Sequence, residues 1–237
     1  MGRFYGVGVG PGDPELITMK GFRVLKEADI IFAPRAKSKE DSLAREIVEK
    51  ILGKEKEFVE LEFPMIKDEE ELAKRYLESA GLIIEKIKEG KQVAYLTIGD
   101  PLLYSTYAYL LNALGRIAPD LDVETIPGIP AYGAVAARFG YSLAEKDERI
   151  CICPAPEEME VLREIIKRND TVVIMKVAKR LPEVIGLLRQ MGLLDCAVFG
   201  GKVGLEGEKL VNGAAGPFTI SEKQGYLSTI IVRKRKR

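Results

Sequence analysis

Short apolar runs alternate with amphipathic stretches through the first half of the chain, and this constrains the fold more than any other feature. Residues 4–9, 30–33, 92–97 and 122–126 are strand-sized and apolar, with a weaker strand-like piece at 57–61. Between them lie helical patterns at 16–28, Leu43–Leu52, Glu69–Lys88 and 104–114. The Glu69–Lys88 stretch carries Leu72, Tyr76, Leu77, Ala80, Ile83, Ile84 and Ile87 on one face, and Gly90 follows where a left-handed cap is wanted. Strands separated by helices of this length are joined by right-handed crossovers and lie parallel. The predicted fold class is α/β.

The second half repeats the theme less regularly. Strands are expected at 149–153, 171–176, 197–203, Lys209–Asn212 and 227–233, with helices at 157–167 and 181–191. Pro182 sits in the first turn of the last helix, where its missing N–H costs little. No helix separates the final strands, so this sheet is expected to be mixed. The reading is a parallel-sheet domain over 1–139 and a mixed α/β domain over 140–237, with a hinge that could begin as early as 116.

Composition excludes whole classes of chemistry. The chain has 237 residues and no histidine, which removes Ser-His-Asp, Cys-His, HExxH and His-ligated iron chemistry. Its three cysteines, Cys151, Cys153 and Cys196, are wrongly spaced for a zinc site or a disulfide framework. No protein-bound metal is expected. Lys+Arg and Asp+Glu both number 36, so no global basic field attracts nucleic acid. The basic tail 233–237 reads as a solvated terminus. The longest apolar runs are strand-sized and no signal pattern opens the chain, so no membrane association and a cytoplasmic location are expected.

Three Gly/Pro loops carry the functional signal. The first strand runs into Gly8-Val9-Gly10-Pro11-Gly12-Asp13-Pro14-Glu15-Leu16-Ile17-Thr18. A dinucleotide fingerprint fails here: its third glycine would fall on Pro11 or Asp13, and no Walker Lys-Ser/Thr pair is present. Read alone, this loop is a tight turn with Asp13 capping the next helix. The second loop is Gly99-Asp100-Pro101-Leu102-Leu103-Tyr104-Ser105-Thr106-Tyr107, and the third is Pro127-Gly128-Ile129-Pro130-Ala131. In a parallel sheet all three emerge at the carboxyl ends of strands, where open α/β sheets bind ligands. Carbonyl oxygens and the Asp100 carboxylate favour a ligand with positive charge, such as the sulfonium S-adenosylmethionine.

In their order and spacing these three loops resemble the signature loops of the tetrapyrrole methylase family, and the resemblance spans essentially the whole chain. Leu102–Tyr107 is similar to the branch that methylates carbon 20 of precorrin-2 or of its cobalt complex. The resemblance implies two α/β domains with an active-site trough between them, a homodimer, S-adenosylmethionine as cofactor and a small-molecule tetrapyrrole substrate; cobalt, if present, belongs to the substrate ring. It places the cofactor against Val9, Pro11, Asp100, Leu103, Pro130 and Ala131. It also implies contacts from Met175 and Lys176 at the end of the strand 171–176, and from Lys202 in the 201–203 region and Ser228 and Thr229, which are placed by position only.

The ring carbon is itself the nucleophile, so positioning matters more than a strong base, and positioning can supply up to roughly 7–11 kcal/mol. For proton handling the candidates are Asp100, Lys176 and Tyr226, with Asp100 also able to orient the cofactor or cap a helix starting near Tyr104. A polycarboxylate substrate calls for local basic groups. Arg35, Lys37 and Lys39 come after the second strand; Lys176, Lys179 and Arg180 come after the strand 171–176. Of these, Arg35, Lys176 and Arg180 are expected to meet carboxylates. Tyr104 and Tyr107, three apart on one expected helix, could flank the macrocycle or pack in the core. Cys151 and Cys153 read as small buried residues on one strand face. Two alternatives stay open: a same-fold methyltransferase acting on another ring carbon or on a macromolecule, and a non-catalytic nucleotide-binding module.

Overall fold

A computed structural model describes residues 2–36, 42–63 and 68–234. It divides into two compact units, Met1–Pro130 and Ala131–Arg237. The first holds β1 (Phe4–Gly8), α1 (Met19–Glu27), β2 (Ile30–Ala36), α2 (Leu43–Leu52), β3 (Phe58–Phe63), α3 (Glu69–Lys88), β4 (Val93–Thr97), α4 (Tyr107–Ile117) and β5 (Val123–Ile126). Its strands form one parallel sheet in the order β3-β2-β4-β1-β5.

Strand parity sorts this unit's side chains. Phe4, Ile30, Phe32 and Tyr95 face a core closed by Tyr76, Ala80, Ile83 and Ile87 of α3 and by Tyr107, Leu110 and Leu114 of α4. On the opposite face, Val7 lies against α1 at Gly21. The chain leaves β1 toward β2 and leaves β4 toward β5, in opposite directions across the sheet. Right-handed crossovers therefore put the α1 and α4 connections on opposite faces. That reversal brings the ends of β4, β1 and β5 side by side.

The second unit holds α5 (Ala131–Phe139), β6 (Ile150–Pro154), α6 (Met159–Arg168), β7 (Thr171–Met175), α7 (Leu181–Gln190), β8 (Ala197–Gly201), β9 (Lys209–Asn212) and β10 (Ser228–Arg233). The strand order is β6-β7-β10-β8-β9, with β6 and β7 parallel and every other neighbour antiparallel. Val172 and Ile174, Ala197 and Phe199, and Ile230 and Val232 pack with α6 and α7 in one core that also takes Cys153. Helix α5 packs on β8 and β10 and groups with this unit.

Some elements differ from expectation. The stretch 16–28 splits into a 3-10 turn, Pro14–Leu16, and α1, because Asp13 accepts from Glu15 N (3.0 Å) and Thr18 then caps α1 at Gly21 N (3.0 Å). The helix expected from 104 begins at Tyr107, where Ser105 Oγ accepts the Tyr107 N–H (3.1 Å). Helix α5 was not anticipated. Gly90 has the expected left-handed conformation (φ 86°) after α3. Among the described residues, no helix is long and apolar enough to cross a membrane.

Candidate functional site

The three Gly/Pro loops leave the carboxyl ends of β1, β4 and β5 and are stitched to one another. Val9 N donates to Thr97 O (2.9 Å) and Gly99 N to Gly10 O (2.8 Å). The Asp100 carboxylate spans two loops, with Oδ1 accepting from Leu102 N (2.9 Å) and Oδ2 from Gly128 N (3.1 Å). A Cβ on Gly8 would lie 2.6 Å from both Gly128 N and Gly99 O, and one on Gly128 would collide with Gly99 O. Gly8 and Gly128 are therefore glycines because three backbones touch, not because a phosphate must be approached.

The chemistry of this edge is one-sided. Every charged side chain in the three loops is acidic: Asp13, Glu15 and Asp100. Pro11, Pro14, Pro101, Pro127 and Pro130 offer no N–H, and the stitching occupies the N–H groups of Val9, Gly99, Leu102 and Gly128. Val9 and Pro11 are buried, while Asp100, Leu103, Pro130 and Ala131 are half-buried. An edge of carbonyl oxygens and a carboxylate suits a cationic ligand.

The remaining expected cofactor and proton-handling positions gather at one end of the second sheet. Lys176 follows β7, Lys202 follows β8, and Tyr226 and Leu227 precede β10, which runs between those strands. Lys176, Lys202 and Leu227 all have left-handed backbones, with φ of 52°, 50° and 51°. Lys202 N donates to Leu227 O (2.9 Å). Ser228 and Thr229 are buried, and Ser228 Oγ donates to Gly225 O (2.6 Å). Met175 is half-buried; Lys176, Lys202 and Tyr226 are exposed.

The expected arginines have partners within the protein. Arg35 lies within β2 rather than after it, and its guanidinium pairs with Glu60 (3.2 Å) and Glu62 (3.1 Å) on the neighbouring β3. Arg180 donates to Glu157 O (2.6 Å) and to Glu183 (2.8 Å), fastening the start of α7 to the segment after β6. Both cations are thereby engaged by the protein's own acceptors. Lys37 and Lys39 lie outside the described residues, and Lys179 is exposed.

Tyr104 and Tyr107 do not share a helix face. Tyr104 precedes α4 with φ 52° and is exposed, whereas Tyr107 is fully buried. The Tyr107 hydroxyl bonds Thr125 Oγ1 (2.6 Å), and burial raises its pKa. Sequence reasoning missed the hydroxyl network beneath the second loop. Thr97 Oγ1 meets Ser105 Oγ (2.8 Å), and Tyr95 OH meets Thr106 Oγ1 (3.1 Å). The run Ser105-Thr106-Tyr107 was the available signal, since consecutive hydroxyls at a helix start find caps and partners.

A parallel sheet ending in stitched, acidic Gly/Pro loops, followed by a mixed sheet with left-handed residues at its strand ends, defines a two-unit α/β protein. The chain belongs to the tetrapyrrole (corrin/porphyrin) methylases, whose family model matches residues 3–217. It is 40% identical to a probable cobalt-precorrin-2 C(20)-methyltransferase of Methanocaldococcus jannaschii, over 99% of this chain and 97% of that protein. Identity to the cobalt-precorrin-2 C(20)-methyltransferase of Salmonella typhimurium is 34%, over 99% and 97%. The fold matches that of uroporphyrin-III C-methyltransferase from Thermus thermophilus in complex with S-adenosylhomocysteine, with a TM-score of 0.65 at 23% identity, covering 98% of this chain and 97% of that one.

Proposed function

We propose that this chain transfers a methyl group from S-adenosylmethionine to carbon 20 of precorrin-2 or its cobalt complex in cobalamin biosynthesis. The observation that carries this reading is the stitched loop edge whose charged side chains are all acidic. Such an edge fits a sulfonium with an amine and repels a phosphate. The two C(20)-methyltransferase relatives supply the substrate.

S-adenosylmethionine, when bound, supplies an electrophilic methyl group. Val9, Pro11, Leu103, Pro130 and Ala131, with Met175, Ser228 and Thr229, are the positions proposed to hold it. Asp100 fixes the second and third loops through its two backbone bonds and keeps a negative charge at the edge. The new carbon–carbon bond forms as the sulfur–methyl bond breaks, leaving S-adenosylhomocysteine. The proton displaced from the ring goes to a base or to solvent. Tyr226 and Lys176, both exposed, are proposed to receive or relay it. We take the protein to be a cytoplasmic homodimer in which any cobalt travels with the substrate.

The test is turnover with cobalt-precorrin-2 and with metal-free precorrin-2 side by side, locating the added methyl by mass spectrometry. A methyl at carbon 20 of either ring establishes the function, and the preferred ring assigns the route. A methyl at another carbon moves the chain to a sister activity. Tight cofactor binding with neither ring methylated would sink the substrate assignment in favour of a macromolecular substrate or a binding module.

A further inference from the structure

Five non-glycine residues among those described have positive φ, and three of them, Lys176, Lys202 and Leu227, occupy one end of the second sheet on adjacent strands. A side chain in this conformation strains the backbone, which is why glycine is the usual occupant. The chain uses glycine freely for this purpose, at nine described positions from Gly10 to Gly207. At Lys176 and Lys202 it keeps lysine instead. Neither asparagine nor aspartate, whose short polar side chains bond locally, stands there.

Backbone contacts around these positions help to hold this conformation, and the Lys202 stem passes over Gly207. Gly225 is pressed against Ala178, so that a Cβ on it would strike Ala178 O. The Lys202 N–H is tied to Leu227 O at 2.9 Å. Beyond Lys202, Glu208 accepts from Gly204 N (2.6 Å) and faces Arg138 at 3.4 Å. Strain that the surrounding structure holds in place clusters at ligand sites.

The register fixes the spacing. Thr229 pairs with Met175 and Ser228 with Gly201, so Lys176 and Lys202 flank the first residues of β10 from either side. Two strand spacings put their Cα atoms about 10 Å apart. Both are exposed, as is Tyr226, two residues ahead of β10. A compact ammonium on a long flexible stem can follow a carboxylate on a flexible arm.

We propose that Lys176 and Lys202 form a paired carboxylate anchor, each retained at a strained position for its ammonium group, and that together they take two acidic side arms of one polycarboxylate ligand. That the ligand is the tetrapyrrole ring rests on the function proposed above; the pairing rests on the geometry. Lys202 accordingly serves the substrate rather than the cofactor, and Lys176 is an anchor before it is a base.

The experiment compares the full-length protein with Lys176→Gly and Lys202→Gly, singly and together. Three quantities are measured: the thermal midpoint, the affinity for S-adenosylhomocysteine, and the affinity for uroporphyrin, a stable polycarboxylated porphyrin, at low and high salt. Glycine relieves the strain, so each variant should unfold at the same temperature or higher. S-adenosylhomocysteine affinity should stay within about twofold. Uroporphyrin binding should weaken about fivefold per lysine and lose part of its salt dependence. Lys202→Arg should restore most of it. A lower midpoint, unchanged uroporphyrin binding, or an equal loss for both ligands would overturn the anchor. A parent protein that binds uroporphyrin but methylates neither precorrin sinks the proposed function and leaves the anchor standing. A parent that methylates while the glycine variants keep its KM sinks the anchor alone. No uroporphyrin binding by the parent counts against the anchor.

Discussion

The ring of Tyr107 occupies the space that a side chain on Gly6 would need. A Cβ built on Gly6 collides with the ring at Cε2, Cζ and the hydroxyl oxygen. Tyr95 and Phe4 stack beside that ring, with centroids 6.0 and 6.4 Å away, and its hydroxyl reaches Thr125. A glycine in the middle of a buried central strand, which weakens the strand itself, is explained by an aromatic residue distant in sequence. Gly6→Ala forces the ring off its seat and should cost about 3 kcal/mol. The unfolding midpoint should fall by about 6–12 °C. Tyr107→Phe keeps the packing and loses one hydrogen bond, about 1 kcal/mol. Thermal unfolding followed by circular dichroism ranks the two, and an equal loss would mean that the hydroxyl, not the ring, holds Gly6 in place.

Asp100 joins the second and third loops, so its removal should loosen the ligand edge without unfolding the sheet. Asp100→Ala loses both bonds to Leu102 N and Gly128 N. Charge-assisted bonds of this kind contribute about 1.5–3 kcal/mol each, and S-adenosylhomocysteine affinity should fall more than about tenfold. Asp100→Asn keeps one acceptor oxygen and should lie between the parent and the alanine variant in calorimetric titrations. Identical losses in the two variants would show that charge alone matters and that the span between loops does not.

The parts of the fold with strong periodicity were legible from residues alone. Helix α3 carries its apolar face at every turn from Leu72 to Ile87, and the Val/Ile run of β7 has no reading other than a buried strand. Helix α5 escaped because Ala131–Phe139 is rich in Ala and shows little contrast between faces. In the candidate site, the three loops were legible as a set because their Gly/Pro spacing is unusual. The reversal at Tyr104 was not: a spacing of three between Tyr104 and Tyr107 mimics a helix face, and a left-handed tyrosine leaves no trace in composition. The pairing of Arg35 with Glu60 and Glu62 depends on β3 lying beside β2, which no local pattern states.

Burial raises the pKa values of three phenols in the first unit's core. Tyr76 is pushed up to about 12, first by desolvation and then by Tyr109; desolvation also leads for Tyr95 and Tyr107, both shifted upward. In the second unit, burial pushes the Cys153 thiol up to about 12. Each group is neutral when protonated, and each folded value exceeds its unfolded one. The stability these groups contribute is therefore complete below their unfolded values, near 9 for the thiol and 10 for the phenols, and is lost as pH rises toward 12. Absorbance at the phenolate band should show Tyr76, Tyr95 and Tyr107 titrating only as circular dichroism reports unfolding. Cys153 should resist alkylation at about pH 8, where burial keeps its thiol protonated. Phenolate appearing for all tyrosines before any loss of structure would refute the burial argument.

Arg233, at the end of β10, holds two carboxylates that differ in one respect. Glu145 lies 2.9 Å away and is 63% exposed; Glu148 lies 2.7 Å away and is 7% exposed. Glu148 also accepts the Glu145 N–H at 2.9 Å, so it closes the turn as well as the ion pair. Removing it leaves the Arg233 guanidinium, itself 19% exposed, to the solvent-exposed Glu145 and takes the Glu148 acceptor from the Glu145 N–H. Loss of one partner of a buried pair costs about 3 kcal/mol or more, whereas an exposed partner is worth less than about 1 kcal/mol. Glu148→Ala should therefore lower the urea midpoint markedly and Glu145→Ala barely. The small Glu145 effect should vanish in about 0.5 M salt, where charges separated by more than a few ångströms of solvent are screened, while the Glu148 effect persists. Matching losses for the two variants, or a Glu148 effect removed by salt, would mean that charge alone and not burial governs this cluster.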